Sequence, residues 1–357
     1  MQFSVLIATY NRAVHLEDTL VHLAGLETRE PWEVIVIDNA STDDTRGIVR
    51  RMTANFPVPL RYLYEAKAGK YGALNAGIKA AHGRILAATD DDARVEPDWL
   101  DRAAAGLTAH DCAFVGGIVH PLWEGPLPLW LDPTNAAVQK VIAISDYGPR
   151  PREYGKGVGW PLGVNVAYRR EAFERAGLFD PHLGRTAGTL RSQSQREWHL
   201  RARASGLRGF YVPDMVVHHR VVSGRLTREY FRRWHYWHGI SRAVLYWRFG
   251  FDPEEPETIR HDTPPPSLLG VPYKLIKKSF FVVRSYLWRT LRREPARSFD
   301  YEIWLAYFAG FVLEIRRQRH LPFASVRPRE AAAGGQMPRV NLDATATEPA
   351  RSRARPS

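Results

Sequence analysis

Apolar runs and helical periodicities alternate through the N-terminal quarter of the chain. Residues 3–9 (Phe-Ser-Val-Leu-Ile-Ala-Thr), 33–38 (Glu-Val-Ile-Val-Ile-Asp), 60–64 and 84–89 are rich in strand formers. Between them, residues 14–24, 43–54 and 71–82 place apolar side chains at helical spacing. This alternation predicts βαβ units and a parallel sheet. The strands are almost continuously apolar, so the sheet is predicted to be covered on both faces. Right-handed crossovers gather the carboxyl ends of such strands at one edge. Thr9-Tyr10-Asn11, Asp38-Asn39 and Asp90-Asp91-Asp92 are predicted to emerge there together.

Helix starts agree with this reading. Ser41-Thr42-Asp43-Asp44 is dense in N-cap residues just after the second strand. Pro97 stands where a first helical turn accepts it. Residues 121–161 are rich in Pro, Gly and Trp with little periodicity, and read as a long loop, functional or mobile. A strand over 164–168, helices over 170–175 and 197–205, and short strands over 209–212 and 215–217 around Pro213 follow. Past Arg225 the pattern changes. Residues 226–249 read as a basic, aromatic helix, and 252–267 as an acidic, Pro-rich linker. Residues 272–293 read as an amphipathic helix, with Ile276, Phe280, Val283, Leu287 and Leu291 on one face. Lys274, Lys277, Lys278, Arg284, Arg289 and Arg292 are assigned to the other. The expected division is 1–225 for an α/β domain, 226–323 for a helical extension and 324–357 for a disordered tail.

Composition narrows the function classes. A chain of 357 residues can bury a sizeable core, and its formal charge of +12 attracts anions of any kind. The excess is local: residues 225–293 hold fourteen Arg or Lys against six Asp or Glu. A nucleic-acid footprint rests on charge alone and is disfavoured. A basic amphipathic helix fits peripheral contact with an anionic membrane. No apolar run reaches the ~18 residues of a spanning helix. The N-terminus reads as a strand rather than a signal peptide. Cys112, the only cysteine, excludes an intrachain disulfide and reads as a small buried hydrophobe. The expected location is the cytoplasm, at the inner face of the membrane.

The densest chemistry is Asp90-Asp91-Asp92, three carboxylates at the end of an apolar run. Ligands bind at that edge of open α/β sheets. Hard oxygens suit Mg or Mn, which commonly join one or two carboxylates to substrate phosphates. The alternative is a solvated acidic turn before the next helix. Asp38 could accept from a base or ribose, or instead close an Asx turn into the Ser41 helix. Thr9 and Tyr10 could flank a base or merely pack the loop. Lys70 stands at a helix start, where backbone N–H groups favour an anion.

Several blocks then carry a family resemblance. Val5-Leu6-Ile7-Ala8-Thr9-Tyr10-Asn11-Arg12 resembles the first strand of inverting family 2 nucleotide-sugar glycosyltransferases, which adopt the GT-A fold. Val34 to Asp43 resembles their second strand, and Gly69 to Ile78 their helix with Gly-Lys and Asn-x-Gly. Asp90-Asp91-Asp92 is similar to their metal-binding Asp-x-Asp, and Gly163 to Arg170 to their acceptor-side segment. The resemblance covers roughly residues 3–222. It implies a mainly parallel mixed sheet with helices on both faces, and a sugar passed from a nucleoside-diphosphate donor, UDP-linked by preference. It implies donor contacts at Thr9, Tyr10, Arg12, Asp38, Asn39, Lys70, Asp90 and Asp91. It implies a divalent metal, Mn or Mg, at Asp92 with His219, whose strand resembles the family's strand ending in His. The acceptor expected is a hydroxyl on a glycan or lipid-linked glycan.

The resemblance departs at the catalytic base. Counting back from Gly206, the family's Glu-Asp pair falls on Ser194-Gln195, and neither titrates usefully. Glu197 is the nearest carboxylate and is taken as the expected base, with His199 next. The alternative is a site that binds donor without turnover.

Overall fold

The computed structural model describes residues 1–325 apart from 156, 187, 256–259 and 292–294. The chain begins with β1 (Phe3–Thr9), α1 (Ala13–Ala24), β2 (Trp32–Asp38), α2 (Thr45–Thr53), β3 (Leu60–Tyr64) and α3 (Lys70–Ala80). It continues through β4 (Ile85–Asp90), β5 (Ala93–Val95), α4 (Trp99–Ala109), β6 (Phe114–Trp123), α5 (Ala136–Ile142) and β7 (Arg152–Glu153). Then come β8 (Val166–Arg169), α6 (Arg170–Ala176), α7 (Ser194–Ala204), β9 (Gly209–Val221) and α8 (Arg228–Phe249). Two long helices follow, α9 (Tyr273–Leu291) and α10 (Pro295–Gln318).

One mixed sheet runs in the order β3-β2-β1-β4-β8-β6-β9-β5, with β7 on β9. Strands β3, β2, β1 and β4 are mutually parallel. The register makes their ends flush, Thr9 opposite Asp38 and Ala8 opposite Asp90. Both faces are covered, as the unbroken apolar strands require. Leu6, Ile35 and Ile37 pack with Leu74 and Ile78 of α3 and Trp198 of α7. Val5, Ile7, Val34 and Val36 pack with Leu16 and Leu20 of α1 and Leu100 of α4.

Two strands differ from the expected pattern. The irregular stretch begins inside a strand, because β6 carries Gly116-Gly117 and then Pro121. At Gly117 a Cβ would collide with the Met215 carbonyl, and there the β6–β9 register shifts. Strand β9 is one element running through Pro213, not two short ones. Its partner β5 is antiparallel and sets Ala93 opposite His219.

The C-terminal helices pack on one another. Tyr246 and Trp247 of α8 meet Leu275 of α9 and Tyr307, Phe311 and Ile315 of α10. Gly239 and Gly310 let α8 and α10 close backbone to backbone. Helix α9 departs from the two-faced expectation. Leu275 and Val282 are buried, whereas Phe280, Phe281, Leu287, Trp288 and Leu291 are exposed. Lys277 and Arg284 share that exposed face, and Arg284 lies over the Phe281 ring. Lys274 and Lys278 instead reach the linker carboxylates Asp252 and Glu254. Arg292 and residues 326–357, most of the expected tail, lie outside the described residues. No helix among the described residues is long and apolar enough to cross a membrane.

Candidate active site

The flush strand ends open into a cleft of about 450 Å³. Its floor is Thr9, Tyr10, Arg12, Asn39 and Asp90 to Asp92, and its near wall Gly69 and Lys70. The far wall is Arg185, Thr186, Gly188, Thr189 and Leu190 together with Arg225 and Arg233. Five cations therefore face three carboxylates.

Local geometry explains each placement. Asn39 donates to the Glu65 and Lys67 carbonyls and accepts from the Gly69 amide at 2.7 Å. Those bonds fix the loop that starts α3. Gly69 has φ +141, a conformation open to glycine. Lys70 then reaches Asp90, Nζ to Oδ1 2.5 Å. Burial alone would lower the Lys70 pKa, but Asp90 outweighs it and holds the ammonium above its ordinary value. Burial likewise pushes the Asp90 carboxyl up, and Lys70 reverses that so it lies below its ordinary value.

Asp92 is the most crowded carboxylate. Arg12 donates to it at 2.5 Å, and Arg225 stands 3.7 Å away. His219 Nε2 lies 3.5 Å from its other oxygen, delivered by the β5–β9 pairing. Asp91 is pushed up to about 7, first by burial and then by the adjacent Asp92. Burial lowers His219 and keeps it neutral, the form that ligates metals.

Asp90, Asp92 and His219 each offer one ligand atom, all within 4.8 Å of one another. Two hard carboxylate oxygens and a neutral imidazole suit Mn or Mg. The buried His219 Nδ1 has no hydrogen-bond partner. The donor set fits a divalent ion, provided that Lys70 gives way at Asp90, and Arg12 and Arg225 at Asp92 and His219.

Three expectations are corrected. Asp38 is buried, and its oxygens accept from the Ser41 amide at 2.8 Å and the Tyr62 hydroxyl at 2.6 Å. It closes the loop into α2 instead of lining the cleft. Glu197 is 3% exposed and its two oxygens accept from Arg201 Nε and Nη2, each at 2.9 Å. Arg201 in turn donates to the Ala176 and Leu178 carbonyls. A general base needs access to the acceptor, and this locked carboxylate has none. His199 is fully buried, stacked on Trp160 and Phe114, with burial driving its pKa well below the ordinary value. At the family's base position, Gln195 donates to the Tyr168 hydroxyl. Arg185 and Arg225 were not singled out from the sequence. They sit on a loop and a short turn, where no periodicity marks them.

Comparison with known proteins follows from this geometry. The family model described as glycosyl transferase family 2 matches residues 4–177. An uncharacterized glycosyltransferase of Nostoc sp. is 28% identical over 189 residues, 51% of this chain and 55% of that protein. The alignment thus spans about half the length of that relative. Glycosyltransferase AglE of Haloferax volcanii is 26% identical over 64% of this chain and 70% of its own. A mannosyltransferase from Pyrobaculum calidifontis, solved with GDP-Man and Mn2+, superposes with a TM-score of 0.58 at 21% identity. It covers 89% of this chain and 88% of that one.

Proposed function

Because residues 4–177 belong to glycosyl transferase family 2, we propose that this protein transfers a hexose from a nucleoside-diphosphate sugar with inversion, in glycan or polysaccharide assembly. The observation that carries the proposal is the cleft, where the Asp90, Asp92 and His219 ligand atoms face Lys70, Arg185 and Arg225. That combination suits a diphosphate: a ligand set for a divalent ion and cations for the remaining charge. The solved neighbour that contains GDP-Man and Mn2+ supports the same reading.

Asp90, Asp92 and His219 would hold the ion, which when bound supplies Lewis-acid neutralisation of the departing diphosphate. Arg12 and Arg225, relieved of Asp92, can turn to phosphate oxygens. Lys70 sits at the start of α3, whose backbone N–H groups add a partial positive charge. Tyr10, half exposed, can cover the base, and Asn39 holds the loop in place. At the membrane, the exposed α9 face would dock on anionic lipid, bringing a lipid-linked glycan acceptor to the cleft.

A second reading has its own observation. Among the described residues, the carboxylates that line the cleft are Asp90, Asp91 and Asp92, and Glu197 is locked elsewhere. A donor-binding protein without turnover would look the same. Titration with UDP- and GDP-sugars and Mn, followed by donor hydrolysis and transfer, separates the readings. Wild type is expected to bind and turn over one donor class. Asp92→Asn should weaken metal-dependent donor binding by about 10- to 100-fold. Binding without any turnover supports the second reading, and binding indifferent to EDTA removes the metal from both.

A further inference from the structure

A second cluster of cations lies outside the donor cleft. Helix α8 touches the cleft at Arg233, and His238 and Arg242 follow about 7.5 and about 13.5 Å further along its axis. Arg242 is buried and donates through Nε to His238 Nε2 at 3.4 Å. That bond makes His238 a neutral ring with its proton on Nδ1. The Gln193 amide meets Nδ1 at 3.4 Å, so its oxygen belongs there and its NH2 turns away from the ring. Trp234 stacks on the His238 ring at 4.7 Å.

Arg196 of α7, Lys140 of α5 and His235 of α8 complete the group. Exposure grades inward from Lys140, through half-buried Arg196, His235 and His238, to Arg242. The buried Arg242 Nη1 has no hydrogen-bond partner. Among the described residues, Tyr307 and then Asp252 act on Arg242 through charge, and Asp252 is the carboxylate of the two. It is already bound by Lys274, His261 and the Glu254 and Glu255 amides. The cations repel one another in consequence. Burial, then Arg196 and Arg242, lowers Lys140, and burial, then Arg242, lowers Arg196. Like charges gathered beside a buried guanidinium with an unpartnered Nη1 are costly to keep unless an anion completes them.

We propose that this cluster is a second anion site, beside the donor cleft, that takes a phosphate or carboxylate group carried by the acceptor. The acceptor assignment rests on the transferase reading, whereas the anion site itself stands on its own residues. Lys140, the exposed member of the group, draws the anion in. Arg242, Arg196 and the Gln193 NH2 supply donors inside. A phosphate on a lipid carrier and a carboxylate on an acidic sugar share this chemistry.

The test uses the full chain and inorganic phosphate at constant ionic strength, with acetate as the carboxylate arm. Phosphate should raise the melting temperature of wild type and of the donor-cleft variant Arg12→Gln. Lys140→Gln, an exposed change that spares the fold, should weaken phosphate binding about tenfold. Arg242→Met should abolish the phosphate effect and melt above wild type without phosphate, which a merely structural arginine would not do. A response to phosphate but not acetate selects phosphate-bearing acceptors, and the reverse selects acidic sugars. A phosphate effect lost in Arg12→Gln and intact in Lys140→Gln would overturn the proposal. If Arg242→Met does not fold, Lys140→Gln decides alone. None of these readouts needs sugar transfer, so failure of the catalytic reading leaves the result interpretable.

Discussion

Glu197 and Arg201 stand one turn apart on α7 and meet through two parallel bonds. The pair ties α7 to the end of α6 through the Ala176 and Leu178 carbonyls. Breaking a buried pair by removing one charge costs about 3 kcal/mol or more, because the other is left uncompensated. Glu197→Gln should therefore lower the urea midpoint markedly while the folded fraction keeps its turnover. A variant of native stability with no turnover would restore Glu197 as the base. The three aspartates were legible because an apolar run that ends in carboxylates has few alternatives. Glu197 was misread because residue type was visible and its partner one turn away was not weighed. Asp38 had two readings, and the Ser41 amide and Tyr62 hydroxyl decided for the loop. Arg185 and Arg225 carry no signal in sequence, since only the folding of distant loops brings them to the cleft.

Among the elements, β1, β2 and β4 were plain because strands covered on both faces are apolar throughout. Strand β6 was hidden by Gly116-Gly117 and Pro121, which serve a close approach to Met215 and read as loop residues. Strand β9 was split at Pro213, where the β6–β9 ladder is irregular. Helix α9 was placed correctly, but its faces were not. A helix against a core and a surface at once can be apolar on both sides, so simple two-sided periodicity misleads. Its exposed aromatics alternate with Lys277 and Arg284, the pattern suited to an anionic interface, where rings enter the headgroup layer and cations stay at it. Phe280→Ser with Trp288→Ser should reduce pelleting with anionic liposomes at least about tenfold, with no change in melting temperature. Equal pelleting would place the contact elsewhere.

Two groups of cations stand out in the whole molecule, those that line the cleft and those around Arg242, joined by α8. The cleft is a set of closed ion pairs: Lys70 on Asp90, with Arg12 and Arg225 on Asp92. A divalent ion that arrives alone must compete with those cations for the carboxylates. A nucleotide that arrives alone must compete with the carboxylates for the cations. Each removes the other's competitor, so the two should bind as mutual effectors at contact range. Linkage makes that enhancement reciprocal. Calorimetry should find Mn affinity raised about tenfold or more by UDP or GDP, and nucleotide affinity raised by Mn to the same degree. Independent affinities would mean that the pairs open at no cost. Reciprocal enhancement would make the cleft a coincidence detector, closed to stray metal and stray nucleotide and opened by their joint arrival.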